Sequence, residues 1–202
     1  QVFLGYQWDM LLNESLVVAA VLAPWSLRGS HARAPSWFAL VAVVALAARL
    51  EMGSGLSKLL SGDHTWRTLT ALDFHYETQP LPTPIGWLAA HFPEPVQIVS
   101  CFLMFVVQLG APVVVVVALA TPFRRVRHAA VAAMTTLQIA IALTGNYTFF
   151  NALTVVLSCA AVDDQAWRSL WKRATWWRRE ADDVRAAESA SDLHARVNAS
   201  DV

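Results

Sequence analysis

Charge is what this chain has least of. Among its 202 residues 15% are Asp, Glu, Lys or Arg, where a soluble domain carries roughly a quarter. That deficit excludes an ordinary water-facing surface. The 15 acidic and 15 basic residues cancel, so there is no basic field to draw in nucleic acid, and none is expected as a partner. Cys101 and Cys159 lie inside apolar runs; two are too few for a disulfide framework, and buried thiols are expected. Histidines with zinc-site spacing are missing. His64 and His75 would stand about 16 Å apart on one helix, so neither a metal nor another cofactor is expected. No ten-residue segments alternate with period two, which excludes a membrane barrel, and no internal repeat supports a transporter. An initiator Met and a signal-peptide pattern are lacking, so the chain is expected to be a fragment cut from a longer protein at both ends.

What is there is apolar. Hydrophobic residues make up 56%, nine of them Trp, and the mean hydropathy is +0.43. Five apolar stretches stand out, at 11–27, 37–60, 96–120, 129–143 and 149–162. The third runs 25 residues without a charge, enough to cross a hydrocarbon core of about 30 Å. Backbone polar groups in lipid must bond within their own segment, so helices are the remaining solution. The expected fold is an all-α polytopic transmembrane bundle of about five spans over residues 1–164, with an interfacial helical insert within 51–95. A tail over 165–202, amphipathic and then polar, is expected to lead towards a missing C-terminal region.

Five crossings sort the charges. Arg28 and Arg33 in the 28–36 loop, then Arg124, Arg125 and Arg127 in the 121–128 loop "TPFRRVRH", and seven basic residues after Val162 share one side; together they are 12 of the 15. The positive-inside rule makes that side cytoplasmic, so the insert faces outward. In the insert, Asp63 is the expected N-cap of a helix over "HTWRTLTALDFHYE". The alternating prolines of "QPLPTP" enforce an extended path before a second short helix, "IGWLAAHF". In the tail, Trp167, Leu170, Trp171 and Ala174 recur at helical spacing among Arg and Lys, as in a helix lying at the headgroups.

Polar residues inside spans are the functional signal. Glu14 enters the first span, Glu51, Ser54 and Lys58 share a face of the second, and Asn151, Thr154 and Ser158 form a stripe on the fifth. Two readings stand side by side: structural ion pairs among Glu14, Arg49, Glu51 and Lys58 that hold helices together, or an outward cavity.

Four blocks then carry a resemblance: "GYQWDMLLNES" (5–15), "SGLSKLLSGDHTWRTLTALDFHYETQPLPTP" (54–84), "RRVRHAA" (124–130) and "LTGNYTFFNALT" (143–154). Over residues 5–164 the chain resembles the lipase maturation factor family. The resemblance implies a multi-pass protein, of the endoplasmic reticulum membrane in animals, that helps secreted lipases to fold, assemble and mature. For a bacterial source it implies the inner membrane, with the role left open. A more remote similarity is to the transmembrane domain of vitamin K-dependent carboxylases. Matching residue by residue gives an outward-facing cluster of Trp8, Asp9, Glu14, Lys58, Asp63 and Trp66, then Arg67, His75, Tyr76, Glu77 and Gln79, then Asn146, Tyr147 and Asn151. Membrane lipid and an exported client such as a lipase are the expected partners. A maturation factor that is not an enzyme is the first reading. The alternative is a membrane enzyme acting on lipid or nascent protein, with Glu14, Lys58, Asp63, Arg67, His75 and Glu77 around the cavity.

Overall fold

The computed structural model describes residues 7–23, 35–79, 81–145, 147 and 149–176, with side chains from residue 9 onward. Of the expected cluster, the Trp8 side chain and all of Asn146 lie outside the described residues, as do Arg28, Arg33 and the tail beyond 176. Every described element is helical: α1 (Gln7–Leu22), α2 (Trp37–Leu60), α3 (His64–Arg67), α4 (Ala71–His75), α5 (Pro84–Ala90), α6 (Glu94–Phe105), a π-helical turn (Val106–Gly110), α7 (Ala111–Leu119), α8 (Arg124–Thr144), α9 (Phe150–Cys159) and α10 (Asp164–Ala174). The chain divides into two units, residues 1–162 and 163–202.

The first unit is a helical membrane bundle. Three helices are long and apolar enough to cross a membrane: α2, α6 running through the π turn into α7, and α8. The other two expected spans are shorter helices packed into the same bundle. α1 has 16 described residues and α9 has 10, against the ~20 that a crossing needs.

α2 is the central helix, touching α1, α7, α9 and the π turn. Ser36 caps it by accepting from Ala39 N at 3.1 Å. Of its buried residues, Ala39, Val43, Val44, Ala47, Ala48, Glu51 and Gly55 form a stripe of mostly small side chains that lets neighbours approach, and Leu46 is buried beside it. Gly55 shows how closely: a Cβ there would lie 2.7 Å from a Leu109 methyl. Leu11, Val43, Leu46, Ala47 and Leu157 join α1, α2 and α9 in one apolar cluster. Val44, Val115, Ala130, Val131 and Met134 join α2, α7 and α8 in another.

The insert corrects one expectation. "HTWRTLTALDFHYE" is two short helices, α3 and α4, and not one. Asp63 does cap α3, accepting from Thr65 N at 2.9 Å and Thr65 Oγ1 at 2.7 Å, after Gly62 turns the chain at φ +79°. The helix then stops because Leu69 is left-handed, at φ +62°. Leu69 N–H bonds Trp66 O, and Thr70 N–H reaches back to Thr65 O at 2.9 Å, the paired bonds of a Schellman cap. A leucine in that conformation costs about 1–2 kcal/mol. Its side chain is spent in packing, against the cluster of Leu72, Cys101, Met104 and Phe105. His64 and His75 therefore share no helix face.

A second correction concerns "TPFRRVRH", expected as a loop. Arg124, Arg125, Arg127 and His128 open α8. The helix resumes two residues after Pro122, and Arg127 Nη1 donates to Ala118 O at 3.3 Å, capping the carbonyl end of α7.

The insert is fastened to the far end of α8. Gln79 Nε2 donates to Thr144 O at 3.1 Å and Thr83 Oγ1 to Leu143 O at 2.7 Å, so two carbonyls that the helix end leaves unpaired are filled by insert side chains. Thr83 also caps α5, accepting from Gly86 N at 2.9 Å with Pro84 at the first helical position. Gln97 Nε2 closes the other end of α5 on Ala89 O at 2.8 Å.

In the second unit α10 is capped by Asp163, which accepts from Ala166 N at 3.0 Å. It exposes Trp167, Leu170 and Trp171 among Arg168, Lys172 and Arg173, the amphipathic pattern read from the sequence.

Candidate functional site

Between α6, the π turn, α8 and the insert lies a cavity of about 590 Å³. From α8 it takes Ala133, Thr136, Leu137, Ala140, Ile141 and Thr144, a single helix face that runs about 16 Å at 1.5 Å per residue. The facing wall is Ser100, Leu103, Met104, Val107 and Gln108. Trp66, Leu72, His75 and Tyr76 of the insert, with Tyr147, close one end, and Ser54 and Lys58 reach in from α2.

Lys58 is the cation of this mouth. Its Nζ donates to Ser54 Oγ at 3.0 Å, Ser54 O at 3.1 Å and Gln108 Oε1 at 3.1 Å, and lies 5.6 Å from the Trp66 ring centroid. All three acceptors are neutral. Among the described residues no carboxylate lies within ion-pair distance of Lys58. Gln108 is aimed there by the π turn. Pro112 has no N–H for the carbonyl four residues earlier, which is that of Gln108, and the helix widens over Val106–Gly110 ahead of it.

Deeper in the bundle Glu51 has no solvent exposure. Gln138 Nε2 donates to its Oε1 at 2.7 Å, and Gln138 Oε1 accepts from Asn151 Nδ2 at 2.7 Å. One amide therefore links α2, α8 and α9. Glu51 Oε2 and Asn151 Oδ1 have no hydrogen-bond partner among the described residues.

At the mouth His75 Nε2 and Tyr147 Oη are 3.2 Å apart with their rings stacked. Burial, and secondarily the Lys58 charge, hold His75 below its ordinary pKa, so it is neutral at pH 7. Burial raises both phenols, Tyr147 and Tyr76, the latter helped by Cys101 and Tyr147. Both stay protonated donors.

Of the residues read from the sequence, Lys58, Trp66, His75, Tyr76, Tyr147 and Asn151 meet at this cavity. Ser54, read from the sequence beside Lys58, also lines it; the other described members of the expected cluster do not. Glu14 forms an ion pair with Arg49 on the outer surface of α1 and α2, the helix-joining role that was one of the two readings. Asp9 is half-buried in the first turn of α1. Asp63 is a helix cap, its carboxyl held below the usual range by the Thr65 hydroxyl and N–H. Arg67 reaches Leu59 O at 3.4 Å, Gln79 caps α8, and Glu77 is exposed on the turn after α4. Of the six groups that the enzyme reading needed around a cavity, two are there. Thr154 and Ser158 bond carbonyls of their own helix, and Asn151 alone of that stripe reaches across to α8. The sequence reading missed Gln108 and Gln138, the amides that hold Lys58 and Glu51.

A family model described as the lipase maturation factor transmembrane domain matches residues 1–169. The chain belongs to the lipase maturation factor family. It is 41% identical over 172 residues to lipase maturation factor 2 of Xenopus tropicalis and 39% identical over 179 to that of Homo sapiens. To lipase maturation factor 1 of Bos taurus it is 32% identical over 180 residues. These matches cover 82%, 82% and 81% of the chain but 23%, 24% and 28% of those proteins; the chain spans a minor part of its relatives' length. No solved structure matches it. Membership accords with the blocks at 5–15, 54–84, 124–130 and 143–154, and with an integral membrane protein. It favours a lipase maturation factor-like protein over the membrane enzyme.

Proposed function

We propose that this chain is the membrane module of a lipase maturation factor whose insert-bearing end meets a newly made lipase on the non-cytoplasmic side. That side is the lumen of the endoplasmic reticulum by family resemblance, or the periplasm for a bacterial source; α1 and α9 complete the five crossings. One observation carries the reading. The family blocks 54–84 and 143–154 pack against each other at a single end of the bundle, joined by Gln79 to Thr144, Thr83 to Leu143 and His75 to Tyr147. The basic start of α8 lies at the opposite end of a 21-residue helix, in keeping with the positive-inside rule. An aromatic platform fixed by helix-end carbonyls offers a client a surface already ordered, so little entropy is lost on binding.

The experiment uses the whole protein from which the module comes, expressed beside a secreted lipase in cells lacking their own maturation factor. Lipase activity per secreted mass is expected to rise. A double variant, Gln79→Leu with Thr83→Val, unfastens the insert from α8 and is expected to lose most of that gain at unchanged membrane level. Full activity in a variant whose insert has become protease-sensitive would remove the insert from the function.

A further inference from the structure

The cavity has a polar mouth, an apolar trough and one charge. Its α8 face, about 16 Å long, equals about half of a ~30 Å hydrocarbon core, which is the depth of one leaflet and the reach of one extended acyl chain. The trough walls are mostly apolar, Leu103, Val107, Ala133, Leu137, Ala140 and Ile141, with Ser100, Thr136 and Gln138 set among them. Leu103 and Ala140 remain exposed, so the trough opens sideways where lipid chains lie. At the mouth the Lys58 ammonium is hydrogen-bonded to neutral acceptors, and among the described residues no carboxylate is in contact with it. Glu51, seven residues earlier on the same helix and with Gln138 on one oxygen, is beyond ion-pair distance and attracts Lys58 only at longer range. A cation bordered by apolar walls calls for a counter-anion.

We propose that this trough binds a long-chain fatty acid as its carboxylate, the chain lying along α8 from Thr144 to Ala133 and the headgroup meeting Lys58 beneath the insert. A carboxylate brings one negative charge to one positive charge, and its two oxygens suit the donors gathered there. Lys58 exchanges a neutral acceptor for a charged one, and Tyr147 and Tyr76 line the same mouth. A phosphodiester with two chains would need a second trough beside this one, and a neutral ester would leave Lys58 uncompensated. This inference rests on the membrane reading of the bundle and not on a lipase client, and binding is measured apart from maturation.

The probe is palmitate carrying a mid-chain diazirine, added to the whole protein in nanodiscs of neutral phospholipid, with crosslinks mapped by mass spectrometry. Crosslinks are expected on residues 133–144 and 100–107, displaced by unlabelled palmitate and at least about tenfold less well by its methyl ester or by a lysophosphatidylcholine of equal chain length. Lys58→Gln is expected to weaken capture about tenfold, the loss of one charge-assisted bond. Because Lys58 also bridges α2 to Gln108, a second variant leaves that bridge intact. Ala140→Trp fills the exposed middle of the trough and is expected to abolish capture with the fold unchanged. Equal competition by ester or lysolipid, full capture by either variant, or crosslinks mapping elsewhere would overturn the proposal.

Discussion

Gly86→Ala adds one methyl group, and its sign tests how the insert is docked. By helix preference alone the change stabilises: alanine exceeds glycine by about 1 kcal/mol in a helix interior. The structure demands the reverse. A Cβ at Gly86 would stand 2.4 Å from Thr144 O, 3.1 Å from Thr83 Oγ1 and 3.3 Å from Thr144 C. The obstacle is a backbone carbonyl at the end of α8, itself held by Gln79 at 3.1 Å, so it has no easy way to turn aside. α5 must retreat by about 1 Å to restore ordinary contact. The Thr83 to Leu143 bond, now 2.7 Å, would then stretch towards ~3.7 Å, beyond useful length. Overpacking costs about 1–3 kcal/mol and the lost bond about 1. After subtracting alanine's advantage, Gly86→Ala should destabilise by about 1–3 kcal/mol.

Gly53→Ala is the control. Nothing lies within 4 Å of a Cβ there, and the site is inside α2, so helix preference acts unopposed and stabilises by about 0.5–1 kcal/mol. Unfolding of both variants in nanodiscs, followed by tryptophan fluorescence, should give shifts of opposite sign. If Gly86→Ala proves as stable as Gly53→Ala, α5 does not sit on the end of α8, and the fastening of the insert is wrongly described.

Three further outcomes follow from the same contacts. Gln138→Leu removes the donor to Glu51, stranding that buried carboxyl, and leaves Asn151 Nδ2 with only the longer bond to the Gln138 backbone O at 3.3 Å, and should cost about 1–3 kcal/mol; in a cycle with Glu51→Leu the losses should fall short of additive by more than about 1 kcal/mol, and strict additivity would deny the link. His75 is held below its ordinary 6.5, so the undocked insert binds the proton more readily, and docking is at full strength above pH 6.5 and weakens as pH falls through and below it. Protease sensitivity of residues 61–83 should thus rise between pH 7 and 5 and lose that dependence in His75→Gln; an unchanged profile in the variant rejects the assignment. In a background without Cys101 and Cys159, an impermeant thiol reagent applied to sealed cells should modify Glu77→Cys and spare Val126→Cys, and the opposite pattern would invert the proposed orientation.

The sequence carried the bundle because apolar length and charge asymmetry act over whole segments. Local geometry was less legible. The break at Leu69 is hidden because a Schellman cap normally advertises itself with glycine; here leucine bears the strain, offset by its packing against Leu72, Cys101, Met104 and Phe105. The start of α8 was blurred because arginines in the first turns of a membrane helix look like a loop when hydropathy is the guide. Lys58 and Asn151 were legible as costly polar groups inside spans, and His75 through the resemblance carried by its block. Gln108 and Gln138 were not, since a search for charge passes over amides. A signal did exist: "QLGAP" sets the sole amide after Gln97 in an uncharged run four residues before a proline, where a helix must deform.

Those amides explain why the polar residues of α2 do not simply neutralise each other. Glu51 and Lys58 lie on one side of α2, seven residues apart, and attract each other without forming an ion pair. Each takes an amide from a different helix, Gln138 from α8 and Gln108 from the π turn. An amide donates and accepts at once, so Gln138 can serve a carboxyl on α2 and an asparagine on α9 together, which no single ion can do. The arrangement joins four segments without burying a matched ion pair, whose desolvation can exceed its attraction. It also leaves the Lys58 charge facing the trough instead of a carboxylate. The same choice of glue that stabilises the bundle thus keeps its cavity electrostatically incomplete, and an acid from the membrane completes it.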